Sequence, residues 1–116
     1  MRMNVFEMEG FLRGKCVPRD LKVNETNAEY LVRKFDEVRA EARNEGINYT
    51  ASRLAAAFNH GFINKPLAEV FDVTRMILSA KEELANESHP IDGLSGEYAE
   101  KSLEEWAEQI RKGSSQ

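Results

Sequence analysis

Asn24-Glu25-Thr26-Asn27-Ala28-Glu29-Tyr30-Leu31-Val32-Arg33-Lys34-Phe35-Asp36-Glu37-Val38-Arg39-Ala40-Glu41-Ala42-Arg43-Asn44-Glu45-Gly46 is the stretch that decides the fold. Ala28, Leu31, Phe35, Val38 and Ala42 are separated by alternating steps of three and four. That spacing lines one seam of an α-helix at a period of about 3.5, which serves a helical bundle or a coiled coil equally. Asn24 or Thr26 supplies a cap, Thr26-x-x-Glu29 has the spacing of a capping box, and Gly46 is placed to close the helix as a left-handed residue. A helix over 24–46 is therefore expected. Its seam is longer than a small bundle requires, so Ala28, Leu31, Phe35 and Val38 predict self-association, as a homodimer. Arg33, Lys34, Asp36, Glu37, Arg39, Glu41 and Arg43 mix signs along the outside, as a solvated face does.

Toward the N-terminus, Asn4 and Glu7 repeat the capping-box layout, Val5, Met8, Phe11 and Leu12 share a face, and Gly14 marks a stop. A short helix over 4–12 follows, and Lys15 to Val23 is irregular because Pro18 lacks an amide donor and biases Val17 away from helical angles. Toward the C-terminus, a turn is expected at Asn44 to Asn48, then a short helix capped by Thr50 and ending at Asn59, His60 and Gly61. Pro66 opens a further helix through Leu67, Val70, Phe71, Thr74, Ile77, Leu78 and Leu84, so that 50–86 holds two helices. Asn86 to Gly96 is rich in turn formers, with Ile91 and Leu94 to tack it down. A last helix over 96–112 aligns Ala99, Leu103, Trp106 and Ile110, with Trp106 expected in an apolar contact. These elements define an all-α chain: a single compact helical domain, 1–116, of four to five helices with a long second helix, in which 1–23 is a short helix plus a basic loop.

With 116 residues, 41% hydrophobic and 31% charged, the chain has the length and apolar content of one globular domain. No apolar run is long enough to span a bilayer. The lone Cys16 has no partner for an internal disulfide, and Glu7 and Glu9 interrupt what a signal peptide would need to be apolar, so a cytoplasmic protein with no membrane association is expected. The net charge of −4 is uneven, with +2 over residues 1–22 and −6 over the rest. Arg13, Lys15, Arg19 and Lys22 gather around Gly14 and Pro18 in an exposed loop. With Phe11 or Leu12 as an apolar anchor beside them, they are the candidate contact surface for an acidic partner.

Catalytic chemistry finds no foothold. His60 and His89 lack companions at metal-ligand spacing, and His60 reads as a helix C-terminal cap. Cys16 lies near Arg13, Lys15 and Arg19, which favours a thiolate, although a small, partly buried apolar residue is the simpler reading. There is no Gly-x-Ser-x-Gly elbow, phosphate loop or distinguished carboxylate pair. The expectation is a non-enzymatic protein with no cofactor and no metal. The competing class is a DNA-binding or replication-associated regulator with a degenerate helix-turn-helix at about 50–78. His60 stands where that motif wants an apolar residue, and the recognition helix offers Lys65 beside Glu69 and Asp72, which speaks against nucleic acid.

The segment Asn4-Val5-Phe6-Glu7-Met8-Glu9-Gly10-Phe11-Leu12-Arg13-Gly14-Lys15-Cys16, together with Asn24 to Asp36, resembles an N-terminal module of small early-region accessory proteins of lambda-like phages and prophages. Val38-Arg39-Ala40-Glu41-Ala42-Arg43 with Gly46, and Trp106-Ala107-Glu108-Gln109-Ile110-Arg111-Lys112-Gly113, are similar to Ead-like members of that group. The resemblance implies a mosaic accessory protein acting inside a bacterial host. It carries over no catalytic residue and no assigned biochemical activity.

Overall fold

The computed structural model describes residues 4–90 and 92–114. It is helical, with no strand among the described residues: α1 (Val5–Leu12), α2 (Asn27–Asn59), α3 (Leu67–Asn86) and α4 (Glu97–Ser114). The helix ends obey local rules. Asn4 caps α1 by accepting from the Glu7 amide at 2.7 Å, and Thr26 and Glu29 complete a reciprocal capping box on α2. Both α1 and α2 end in the same way, on a left-handed glycine followed by a six-to-one hydrogen bond. Gly14 has φ 74° with the Lys15 amide donating to the Gly10 carbonyl, and Gly61 has φ 78° with the Phe62 amide donating to the Ala57 carbonyl. His60 is the C-cap of α2, as its position suggests.

The turn expected at Asn44 to Asn48 is absent. The two helices expected on either side of it are one 33-residue helix, Asn27–Asn59, and Thr50, expected as a cap, instead donates its hydroxyl back to the Gly46 carbonyl at 2.9 Å. A glycine inside a helix costs about 1 kcal/mol, and with no proline nearby the flanking turns outweigh that cost. The long second helix is thus longer than its sequence signals, and the helices number four among the described residues.

The helices do not gather in one compact unit. The chain divides into two units, Met1–Leu78 and Ser79–Gln116, and among the described residues the buried apolar side chains Phe11, Tyr30, Ala51 and Val70 belong to the first. Within that unit, Phe11 of α1 packs on Tyr30 of α2 with ring centroids 5.5 Å apart, and the start of α3 comes beside the end of α2. In the second unit Leu103, Trp106 and Ile110 of α4 are exposed, Trp106 at 56%. A periodic stripe specifies which residues share a face, and leaves open what stands opposite. Leu94 is exposed, and Ile91 lies outside the described residues. No helix among the described residues is long and apolar enough to cross a membrane.

Candidate functional site

The face of α2 that carries charge, rather than its apolar seam, holds the N-terminal segment in place. Tyr30, Arg33, Lys34 and Glu37 recur at helical spacing, and the loop between α1 and α2 folds onto them. The Tyr30 hydroxyl donates to Asp20 Oδ1 at 2.9 Å. The Arg33 guanidinium donates from Nη2 to the Asp20 carbonyl at 2.9 Å and grips Glu25 through Nε and Nη2, each at 2.9 Å. Lys34 pairs with Asp20 and, at 3.1 Å, with Glu37. Arg33 and Lys34 also stand 5.3 and 5.7 Å from the centre of the Tyr30 ring. Loop and helix are thereby clamped across sequence separations of 8 to 13 residues.

The charges respond accordingly. The Arg33 fork, aided by the Lys22 amide, holds the Glu25 carboxyl down at about 2, and Arg33 is pushed above its ordinary value chiefly by Glu25. Lys34 lowers Asp20 and Glu37 and is itself raised, by Asp20 first. Burial, followed by the neighbouring Asp20, raises the Tyr30 phenol. A bidentate arginine–carboxylate pair with its remaining donors engaged is a positioning device: it fixes the loop and leaves little of itself for a ligand.

On this scaffold the expected contact residues separate. Arg13 pairs with Glu9 at 3.1 Å on the α1 surface, while Lys15, Arg19 and Lys22 are exposed and make no side-chain ion pair among the described residues. Of the two anchors, Leu12 is exposed, whereas Phe11 is 1% exposed and belongs to the core. Among the described residues before α2, the open apolar side chains are Val5, Phe6, Leu12, Val17 and Val23, with Phe6 84% exposed. Cys16 is exposed, not partly buried, and its thiol lies 3.4 Å from the Glu7 carbonyl. Gly10 makes that approach possible, since a Cβ there would stand 2.7 Å from the sulfur. The α2 seam faces outward: Ala28, Phe35 and Val38 are exposed and Leu31 is half-buried. Residues 60–66 join α2 to α3, a longer connection than the three- or four-residue turn of a helix-turn-helix. Asp20, Glu25, Tyr30, Arg33, Lys34 and Glu37 were not expected to act together.

This geometry defines a class, an all-helical protein whose first helix and basic loop are clamped as a module on the start of a long helix. Residues 4–45 match the YfdS protein N-terminal domain family. A 41-residue stretch is 90% identical to the uncharacterized protein YfdS of Escherichia coli (strain K12), covering 35% of this chain and 34% of that protein. Over 77 residues the chain is 36% identical to the Eae protein of Salmonella phage P22, covering 66% of this chain and 46% of that protein. The resemblance to phage early-region accessory proteins is thereby upheld. The matches span less than half the length of either curated relative. No solved structure matches.

Proposed function

We propose that the protein is a non-enzymatic phage-type accessory protein that acts in the bacterial cytoplasm by binding a host or phage protein through its N-terminal module. One observation carries the reading: Val5, Phe6, Leu12, Val17 and Val23 stand exposed among Arg13, Lys15, Arg19 and Lys22 on a backbone that the Asp20–Tyr30–Lys34 and Glu25–Arg33 contacts hold in one conformation. Folding alone gives no reason to clamp a surface that leaves its apolar side chains in water. Pre-ordering lowers the entropic cost of association, and exposed apolar groups beside Lys15, Arg19 and Lys22, in a segment of net positive charge, suit a partner with an acidic rim around an apolar centre. A match to YfdS confined to about a third of each chain accords with a transferable binding module.

The test is the pair of charge reversals Arg13→Glu and Arg19→Glu. Protein captured from host lysate by the wild-type chain should associate more slowly with the double variant and lose much of its salt dependence, with helicity and thermal stability unchanged. Capture of the same proteins at the same rate would remove the basic loop from the site.

A further inference from the structure

An apolar groove in the first unit lies between the end of α2 and the start of α3, about 400 Å³ in volume. Phe58, Leu67, Val70, Phe71 and Leu78 line it, and Arg75 is the charged residue in its wall, with no carboxylate there. Arg75 lies 5.9 Å from the centre of the Phe71 ring, which places a cation at the rim above apolar floor. Leu67 and Phe71 are exposed. The groove is thus a formed receptor with two requirements: an apolar ridge, and acidic rather than basic flanks.

One element of this chain meets both. On α4, Leu103, Trp106 and Ile110 are spaced i, i+3 and i+7 and are all exposed, the anchor pattern by which an amphipathic helix enters a hydrophobic groove. The three anchors extend over about 10 Å of helix, and the groove runs beside α3 from Leu67 to Leu78, about 16 Å at the same rise per residue. The charges are complementary as well. Residues 46–78, which contain the groove, sum to +1 and residues 79–116 to −5, and α4 itself carries Glu97, Glu100, Glu104, Glu105 and Glu108 against Lys101, Arg111 and Lys112.

We infer that α4 of one copy docks in the α2–α3 groove of a second copy, and that the exchange is reciprocal, giving a two-fold homodimer. The proposal stands apart from the N-terminal binding reading, because it uses none of residues 4–45. Reciprocity doubles every contact. Each buried tryptophan removes about 150–250 Å² from water, and two docked helices with their leucine and isoleucine anchors reach the order of 1,200 Å² at which specific interfaces begin.

Sedimentation equilibrium of the full chain at roughly 10–50 μM, an ordinary range for weak dimers, tests the proposal. The wild-type chain should be a dimer, and Phe71→Glu and Trp106→Glu should each be monomers. An equimolar mixture of the two variants should recover a heterodimer, since the first keeps an intact α4 and the second an intact groove. Leu67→Glu and Leu103→Glu, at exposed positions, repeat the pair should either first variant lose helicity. Phe35→Glu, on the open α2 seam, should leave the dimer intact. A monomeric wild-type chain overturns the proposal, whatever its Trp106 emission. So does a dimer that Phe35→Glu dissociates and Phe71→Glu spares, or a mixture that stays monomeric.

Discussion

Replacing Phe11 by alanine isolates the contact that attaches α1 to the rest of the chain. Phe11 is 1% exposed and Tyr30, against which it packs, is 2% exposed, so the substitution removes a fully buried ring facing a partner that has no other aromatic neighbour within the described residues. Deletions of this kind cost about 3–5 kcal/mol. At eight residues, α1 is shorter than the roughly 12–15 residues that an isolated helix needs to persist in water, so the loss should unfold α1 as well as undock it. At about 3 kcal/mol, opening of α1 rises more than a hundredfold or so. Amide exchange followed by mass spectrometry should therefore show protection lost over residues 5–12 and in the loop at 16–22. Residues 50–58 and 67–78, held around Ala51 and Val70, should keep theirs. Unchanged protection of α1 in the variant would refute the packing argument, and equal loss over α3 would refute its local character.

Gly46→Ala should raise stability by about 1 kcal/mol in urea denaturation, because Gly46 is helical and a Cβ there meets nothing within 4 Å. Gly14→Ala and Gly61→Ala should each lower it by about 1–2 kcal/mol, since both glycines sit at positive φ. Glu25 is depressed from 4.5 to about 2, so its share of the clamp is fully present above pH 4.5 and fades as pH falls toward 2. Stability followed from pH 5.5 to 2 should decline across that window, and Glu25→Gln should flatten much of the decline; an unchanged profile in the variant would show that the Arg33 pair is not responsible.

Helix caps were legible in the sequence because they are local: Asn4, Thr26, Gly14 and Gly61 each act within a few residues of themselves. Gly46 was misleading for the same reason, since a left-handed stop and a tolerated interior glycine differ only in what the neighbouring turns contribute. The faces of α2 could not be assigned locally at all. Ala28, Leu31, Phe35 and Val38 form the more regular apolar stripe, yet Tyr30, Arg33 and Lys34 on another face receive α1 and the loop. Their partners Phe11, Asp20 and Glu25 lie 8 to 19 residues away, beyond any periodicity. Recurrence of one aromatic with paired cations at i, i+3 and i+4 was the signal available, and it resembles a solvated face until a carboxylate-bearing loop is placed beside it. The basic cluster of the proposed binding surface was visible as composition. Of its apolar members Leu12 alone was read from the sequence, because hydrophobic residues such as Phe6 and Val17 are assigned to a core by default.

Site-specific photo-crosslinking in the bacterial host tests the binding surface most directly. A photoreactive phenylalanine analogue placed at Phe6, Leu12 or Val17 should join the protein covalently to one discrete host or phage protein, and the same group at Asp72, exposed on α3, should not. Adducts that are absent at all three N-terminal positions, or that form equally from Asp72, would contradict the assignment of the N-terminal module as the partner-binding site.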